Sequence, residues 1–398
     1  MMKKANKKVL VLNGSFCEIP IIEECHKLGY YVITTGNAPS LVGHNYSDEY
    51  IQADYSDYDA ILQIVKTKDI SHILSCANDF GSITASYVAE KMGWKGHDSF
   101  ENAKLLHHKD LFKNYIQGKG YPTPISKVFD SFEDASKYVC GLNDFPVIVK
   151  ANDLTGGKGI QKADNKKDAL DAIENSFLKS RSKHILIEPY IDGNQQTFVT
   201  FLHDGKVVAS NSCDSYSYVN PYLIQSETLP AEGIELVKGK LIAIIEEMAE
   251  DLKLADGILA FQYFRKGDEV QIIEMMRRPF GNQFLKLVEY SSDFPWHLAQ
   301  VIAETDGDWN KIRPIPVERP FCGHYGVMVQ RNGRLKSWSI PEEIKNHVFK
   351  QFVMKQPGDE IADHLNERVA FLHFEYDNMA DMCRDVKSYY DRINVDVE

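Results

Sequence analysis

A stretch rich in glycine and lysine follows an apolar run near the middle of the chain. It reads VKANDLTGGKG over 149–159, directly after the apolar segment FPVIV at 145–149. Backbone N–H groups of such a turn can converge on phosphate oxygens because no Cβ blocks the approach, and lysine adds positive charge. The spacing is not that of a Walker loop, and the alternative is a hairpin turn with two solvated lysines. Lys150, one residue beyond the apolar strand, favours phosphate binding over that alternative.

A second segment, ILIEPYIDGNQQTF at 185–198, predicts a strand that ends near Glu188. Backbone groups of Tyr190 and Ile191 could pair with the edge of an adenine base, and Glu188 could accept from its exocyclic amine. Gln195 could bind ribose hydroxyls. A plain strand end followed by a turn is the alternative interpretation.

A third segment, FQYFRKGDEVQIIEMMRRPFGN at 261–282, predicts a hairpin that turns at 266–268. Gln262 and Glu274 lie on its two arms, so both side-chain oxygens can face one point. Hard cations such as Mg²⁺ prefer oxygen ligands, and a carboxylate within an apolar run is costly to bury unless it is paired or metal-bound. Arg278 could hold a transferring phosphoryl group.

The first part of the chain alternates between strand-like and helix-like segments. The β-branched runs KKVLVLNG, YYVITTG and SHILSCAND alternate with the helix-like segments CEIPIIEECHKLGY and YDAILQIVKTKD. This alternation predicts a doubly wound parallel sheet, which binds ligands at the carboxyl ends of its strands. The first loop, NGSFCEIP, lacks GxGxxG, so the sequence supports a dinucleotide oxidoreductase poorly.

The rest of the chain predicts helices and hairpins. A helical segment ends at Gly118, and a linker leads into a second lobe with the helix NKKDALDAIENSFLKS and the strand HILIEPYI. A hairpin turning at Asp204 and Gly205 and the long helix GKLIAIIEEMAEDLKL follow. Near the C-terminus we expect two more hairpins, at VQRNGRLKSW and around FEYDNM, and a terminal helix. The tyrosine-rich segment at 212–223 is interpreted as a surface loop with aromatic packing rather than a substrate-shaping loop.

The composition is that of a soluble globular protein. The 398 residues suffice for two or three lobes with clefts between them. Lys and Arg total 45 against 57 Asp and Glu, and the net charge of −12 argues against nucleic acid as a partner. Seven scattered cysteines without a CxxC pair predict a reduced, cytoplasmic protein. The basic N-terminus precedes too short an apolar run for a secretion signal, and no segment reaches membrane-spanning length.

Taken in order, Lys109, Lys150 with TGGKG, IEPYIDG and QIIEMMRRPFG resemble the motifs of the ATP-grasp ligases. The first lobe is similar to the pre-ATP-grasp domain of the branch that contains carbamoyl phosphate synthetase, phosphoribosylaminoimidazole carboxylase and the L-amino acid ligases. The resemblance covers nearly the whole chain. It implies an α/β protein with the ATP-grasp fold, preceded by a doubly wound parallel-sheet domain. The implied parts are a pre-ATP-grasp Rossmann-like domain at 1–112, a small lid subdomain at 113–190, a large subdomain at 191–310 and a C-terminal part at 311–398 that completes the large lobe.

The resemblance also implies roles for the matching residues. Those that would bind ATP are Lys109, Lys150, Gly156, Gly157, Lys158, Gly159, Glu188, Tyr190, Ile191 and Gln195. The four from Gly156 to Gly159 would form a flexible lid over the phosphates. The metal ligands, for Mg²⁺ or Mn²⁺, would be Gln262 and Glu274. The catalytic residues would be Lys158 in the lid and Arg278, which would stabilise the phosphoryl group and the acyl phosphate.

One position departs from the family pattern Glu-x-Asn-x-Arg. Met276 stands where the family commonly has Asn, and thioether sulfur is a poor ligand for Mg²⁺. Three alternatives follow: a neighbour such as Asn282 substitutes, water substitutes, or one of two metal sites is weak. We interpret the change as a mark of the subfamily rather than as a loss of activity.

The function implied by the resemblance is ATP- and magnesium-dependent ligation of a carboxylate to an amine through an acyl phosphate, similar to that of the L-amino acid ligases. The C-terminal stretch with GHYGVMVQRNGRLKSW and a PGD turn resembles the tail of amino acid ligase-like members. The alternatives are an ATP-dependent carboxylase that activates bicarbonate and a non-catalytic ATP-binding scaffold. The expected partners are small-molecule substrates, without nucleic acid or membrane. The sequence leaves the oligomeric state open, and a homodimer is the commonest symmetric assembly.

Overall fold

The N-terminal lobe is a parallel four-stranded sheet with helices on both faces. The computed structural model describes residues 7–75, 77–154 and 157–398 of the chain. The elements of this lobe are β1 (Lys8–Leu12), α1 (Ile19–Lys27), β2 (Tyr31–Gly36), a 3-10 helix (Val42–Tyr46), β3 (Glu49–Gln52), α2 (Tyr58–Thr67), β4 (His72–Leu74) and α3 (Asp79–Met92). The strand order is β3-β2-β1-β4, and every pair is parallel.

Strand β1 carries apolar side chains on both of its faces, and helices cover both faces of the sheet. Leu10 packs with Ile61 of α2 on one face, whereas Val9 packs with Ile22 of α1 on the other. A strand that is buried on both faces needs an unbroken apolar run, which is what this segment has. The predicted doubly wound parallel sheet is confirmed.

A smaller antiparallel sheet follows two connecting helices. The elements are α4 (Phe100–His107), α5 (Lys109–Gly118), β5 (Lys127–Phe129), α6 (Phe132–Cys140), β6 (Val147–Ala151), β7 (Ile160–Ala163), α7 (Lys166–Lys179) and β8 (Ile185–Pro189). The strand order is β5-β8-β6-β7. Helices α6 and α7 share an apolar core with one face of this sheet, which leaves the other face for the neighbouring lobe.

The remaining residues build an eight-stranded sheet and a three-stranded one. The first part contains β9 (Asn194–His203), β10 (Lys206–Tyr216), β11 (Ser226–Leu229), a 3-10 helix (Ile234–Leu236), α8 (Lys238–Leu252), β12 (Gly257–Lys266), β13 (Glu269–Met276), α9 (Phe284–Tyr290), α10 (Trp296–Ala303) and a 3-10 helix (Trp309–Lys311). The last part contains β14 (Cys322–Val327), β15 (Gly333–Ser339), α11 (Glu342–Lys345), β16 (Val348–Val353), β17 (Glu360–Ile361), β18 (Ala370–Glu375), α12 (Met379–Val386), α13 (Tyr389–Arg392) and β19 (Asn394–Val397).

The large sheet has the order β13-β12-β9-β10-β11-β14-β18-β16, so strands from 191–310 and from 311–398 share one sheet. The predicted hairpins β9–β10 and β12–β13 are confirmed, with their turns at Asp204 and Gly205 and at 267–268. Within the described ranges, no helix is both long and apolar enough to cross a membrane.

Two predictions for the C-terminal part, both of hairpins, were wrong. The segment VQRNGRLKSW is not a hairpin, because β14 already pairs with β11 and β18 on its two sides, and β15 pairs with β17 and β19 instead. The FEYDNM segment leads from β18 into α12, since the Asn378 side chain accepts from the Asp381 N–H and caps a helix. The predicted terminal helix is present as α12 and α13, and the short strand β19, which pairs with β15, follows it.

Candidate active site

A cavity of about 360 Å³ lies between the small sheet and the eight-stranded sheet. Its walls include the apolar side chains of Ile148 and Leu186 from the small sheet and of Phe264 and Ile273 from the large one. Nine predicted site residues line it: Lys109, Lys150, Gly157, Glu188, Tyr190, Ile191, Gln195, Gln262 and Glu274. Apolar walls with a few polar groups are typical of a small-molecule site.

Strand periodicity places the charged residues of the small sheet in the cavity. Val149 and Ile187 point into the helix-covered core, whereas their neighbours Lys150 and Glu188 line the cavity. Successive side chains of a strand point to opposite faces, so a residue that follows a core position faces the cavity. Because Glu188 is the register partner of Ile148, Lys150 and Glu188 are diagonal neighbours on one face.

The carboxylate of Glu188 is buried and surrounded by donors. Lys150 forms an ion pair with its Oε1, and Lys113 Nζ lies 3.4 Å from its Oε2. Ser126 Oγ donates to the same Oε2 at 2.6 Å. Burial would raise the pKa of the Glu188 carboxyl, but the two ammonium groups lower it to about 2. Both oxygens therefore already have a donor or a cation beside them, and the predicted contact with the adenine amine would add a further donor to this carboxylate.

Lys113 lines the cavity but was not predicted as a site residue. The helical segment breaks at His108, which is extended, so that Lys109 begins α5 and Lys113 lies one turn further on. Lys113 is 2% exposed, and it donates to Thr123 Oγ1 at 2.9 Å and to Ile272 O at 3.2 Å. Burial lowers the pKa of Lys113 to about 8, although Glu188 opposes the change. The four-residue spacing from Lys109 was the signal that could have found it.

The predicted adenine hinge has one occupied and one free backbone donor. The N–H of Tyr190 donates to Pro146 O at 3.0 Å. Among the described residues the N–H of Ile191 has no acceptor, so it can donate to a base edge in the cavity. Lys162, a further cavity residue that was not predicted, holds its Nζ 4.8 Å from the ring centroid of Tyr190.

The two predicted metal ligands face each other across a hairpin. Gln262 of β12 and Glu274 of β13 are register partners, and both line the cavity. The Glu274 side chain is 37% exposed, and its Oε1 lies 3.4 Å from Lys109 Nζ. Lys109 also donates to Leu154 O at 2.8 Å. An amide and a carboxylate oxygen at one wall are the ligand types that Mg²⁺ takes, so the residues fit the implied cation.

Asn282, which was suggested as a metal ligand in place of the family's usual Asn, forms hydrogen bonds elsewhere in the structure. Met276 is buried in an apolar cluster with Val199 and Phe280. Asn282 Oδ1 accepts from the N–H of Phe284 at 3.0 Å, and its Nδ2 donates to Glu227 Oε2 at 3.2 Å. Neither Met276 nor Asn282 lines the cavity. Of the three alternatives, the structure therefore gives no support to Asn282 as a ligand.

Arg278 lies outside the main cavity and pairs with the N-terminal lobe. Its Nε donates to Asp79 Oδ1 at 2.5 Å, and His107 Nδ1 lies 3.0 Å from the same oxygen. Burial would raise the pKa of Asp79, but Arg278 and His107 hold it well below its usual range. Asp79 and His107 line a smaller cavity that also contacts Lys109 and Glu274. Through Asp79, Arg278 is thus linked to the side of the site that contains Glu274, one of the two predicted metal ligands.

The predicted lid connects the antiparallel strands β6 and β7, so it is also a hairpin loop. Gly156 lies outside the described residues, Lys158 is exposed, and Gly157 and Gly159 have φ values of +73° and +69°. A Cβ on Gly157 would lie 2.5 Å from Tyr222 O. This position therefore needs glycine both for its left-handed backbone and for the close approach of the neighbouring loop.

The tyrosine-rich segment contributes to the cavity as well as to aromatic packing. Ser217, Pro221 and Tyr222 line the cavity, and Tyr222 Oη accepts from the N–H of Lys162 at 2.6 Å. Tyr218 instead stacks on Tyr390 with ring centroids 5.4 Å apart. The expected aromatic packing is present, but the prediction of a surface loop was wrong for 212–216, which belong to strand β10. The residues that follow this strand meet the predicted lid.

Comparisons with known proteins agree with this geometry. Residues 107–221 match the model of the ATP-grasp (A) domain of phosphoribosylglycinamide synthetase. The phosphoribosylamine-glycine ligase of Lactococcus lactis is 27% identical over 218 residues, which cover 50% of this chain and 52% of that protein. The enzyme of the same name from Thermococcus kodakarensis is 31% identical over 202 residues, or 45% of this chain and 46% of that protein. The chain thus spans about half the length of these curated relatives.

The fold extends the similarity to the whole chain. The L-amino acid ligase from Bacillus licheniformis superposes with a TM-score of 0.78 and 17% identity, covering 100% of both chains. The sheets and the cavity between them are those of an ATP-grasp fold, as predicted. The chain therefore has the ATP-grasp fold throughout, and its residues 107–221 match an ATP-grasp domain.

Proposed function

We propose that the protein is an ATP- and Mg²⁺-dependent ligase of the L-amino acid ligase kind, which joins a carboxylate to an amine through an acyl phosphate. One observation carries the proposal. Two lysines and two residues with side-chain oxygens that could bind a cation line one cavity, although they are distant in sequence. These residues are Lys109, Lys150, Gln262 and Glu274. Ammonium groups and a cation held by oxygen ligands are what phosphoryl transfer needs to neutralise its phosphates.

The proposed chemistry has two steps. A carboxylate oxygen attacks the γ-phosphorus of ATP, the bond from that phosphorus to the bridging oxygen breaks, and ADP leaves. The amine nitrogen then attacks the acyl carbon, inorganic phosphate leaves, and the nitrogen loses a proton to give the amide. Magnesium, when bound, would neutralise negative charge on the β- and γ-phosphates of ATP during the transfer.

The chain's own residues would bind, orient and shield the reactants. Lys109 and Lys150 would hold the phosphates, the free N–H of Ile191 would donate to the base, and Gln195 would bind the ribose. The lid residues at 156–159 would close against the loop of Tyr222 and exclude water from the acyl phosphate. Arg278 and Lys158 stay the proposed stabilisers of the transferring group.

The comparisons support carboxylate and amine substrates. The Lactococcus and Thermococcus relatives are named as ligases of phosphoribosylamine and glycine, and the Bacillus protein as an L-amino acid ligase. These names describe joining an amine to a carboxylic acid, which is the reaction class proposed for this chain. A homodimer is the assembly we propose.

The proposal is tested by an ADP-release screen with Mg²⁺ and ATP over amino acids and simple amines, singly and in pairs. We expect ADP release to require a carboxylate and to yield an amide only when an amine is present. Bicarbonate without an amine is included as a separate condition. ADP release with bicarbonate alone would point to the carboxylase instead. ATP binding without ADP release across the panel would point to the scaffold.

A further inference from the structure

Three charged side chains form a buried cluster at the edge of the cavity. The side chain of Glu188 is 2% exposed, that of Lys113 is 3% exposed, and that of Lys150 is 13% exposed. One carboxylate is therefore shared between two ammonium groups. A buried charge is stable only when it is paired and hydrogen-bonded. The free-energy cost of removing one ammonium group from Glu188 therefore depends on whether the other ammonium group remains.

The two lysines differ in what else holds them. Lys113 donates to Thr123 Oγ1 and to Ile272 O, and Thr123 Oγ1 itself donates to Ile272 O at 2.8 Å. These bonds tie Lys113 to strand β13 as well as to α5. Among the described residues the ammonium of Lys150 has no partner besides Glu188, and Lys150 also lines the cavity. Lys150 is therefore free to exchange partners, whereas Lys113 is fixed.

We propose that Lys113 is a positioning residue that keeps Glu188 paired when Lys150 leaves it for the phosphates of the nucleotide. The inference rests on the proposed ATP binding. In the free protein Glu188 holds Lys150 at the cavity wall. In the bound protein Lys150 contacts phosphate, and Glu188 keeps Lys113 and Ser126, which lie 3.4 Å and 2.6 Å from its Oε2 in the present structure. Without Lys113 the exchange would leave a buried carboxylate without a cation, so ATP binding would weaken.

The inference is tested by a double-mutant cycle on nucleotide affinity. Calorimetry measures Kd for a non-hydrolysable ATP analogue with Mg²⁺ in the wild type, Lys113→Met, Glu188→Gln and the double variant. We expect Lys113→Met to raise Kd about tenfold or more in the wild type, since truncating one partner of a buried pair penalises the other charge. In the Glu188→Gln background, the same change should raise Kd less than about threefold because no carboxylate is left to balance.

Lys119→Met serves as the matched control. Lys119 follows α5, and its ammonium pairs with Asp251 at the surface, so its loss removes one positive charge from the same region without touching the cavity. We expect its Kd to stay within about twofold of the wild-type value, because surface ion pairs contribute little. Circular dichroism and melting temperatures check that each variant is folded.

A second measurement needs no substitution at Lys113. The charged groups that face Lys113 are Glu188 from β8, Lys150 from β6 and Glu274 from β13. Because the pKa of Lys113 is lowered to about 8, wild-type affinity should fall as the pH rises through this range. The fall should be absent in Glu188→Gln. A fall of equal size in both proteins would overturn the inference.

The outcomes separate this inference from the proposed function. If the wild type binds the analogue and Lys113→Met raises Kd by the same factor in both backgrounds, Lys113 has only a structural role and the inference is overturned alone. If the wild type does not bind the analogue at all, the proposed function fails, and the partner exchange fails with it.

Discussion

The Lys150→Met variant is expected to lose about 10²- to 10³-fold in kcat for ADP release while it keeps the wild-type fold, as when one electrostatic stabiliser of a transition state is removed. Lys150 lines the cavity at the end of a buried strand, and its ammonium reaches only Glu188 among the described residues. Methionine keeps the length of the side chain and removes the charge. Glu188 would still have Lys113 as a cationic partner, so the fold should survive.

The measurement is steady-state ADP release at saturating Mg²⁺ and ATP, with the melting temperature of each protein as a check on folding. Lys167→Met is the matched control, because Lys167 is an exposed lysine of the same lobe on α7. The control should have wild-type kinetics. Wild-type kinetics in Lys150→Met as well would remove Lys150 from the phosphate site.

The Glu274→Gln variant is expected to need at least about tenfold more Mg²⁺ for half-maximal activity, because it loses a charged oxygen ligand of a hard cation. Glutamine keeps the size of the side chain and one carbonyl oxygen, so the packing at the end of β13 should persist. Gln262 across the hairpin would still offer its own amide oxygen. The effect should therefore be seen in the metal titration more than in the stability of the protein.

The Mg²⁺ titration is made at fixed free ATP, with Glu269→Gln as the control. Glu269 is exposed at the other end of β13, so the same chemical change is made far from the cavity. The control should titrate like the wild type. If Glu274→Gln also titrates like the wild type, Glu274 does not bind the metal.

The parts of the fold that depend on local patterns could be predicted from the sequence. The unbroken apolar run of β1 specifies a strand covered on both faces, and tight turns between alternating segments specify the β9–β10 and β12–β13 hairpins. The pairing of β15 with β19 joins distant segments, and no short-range pattern encodes it. The FEYDNM segment resembles a hairpin turn although its Asn378 caps a helix, because turns and helix N-caps favour the same residue types.

In the candidate site, too, local motifs could be read from the sequence, whereas contacts between the lobes could not. The motifs lie on elements that bring nine of the predicted site residues, including Gly157 of the predicted lid, to one cavity. The partner of each charge was not predictable, because Arg278 meets Asp79 and Glu188 meets Lys113 only after the lobes pack together. The four-residue spacing from Lys109 was the only local sequence pattern that indicated Lys113 as a site residue.

In the proposed reaction, a carboxylate of the substrate takes the γ-phosphate of ATP before the amine attacks. The most direct measurement labels both carboxylate oxygens of an acid found in the ADP-release screen with heavy oxygen and analyses the released inorganic phosphate by mass spectrometry. We expect one labelled oxygen in each phosphate, because the bond from carbon to that oxygen breaks when the amine displaces phosphate. Inorganic phosphate without label, formed together with the amide, would contradict the acyl phosphate and with it the proposed function.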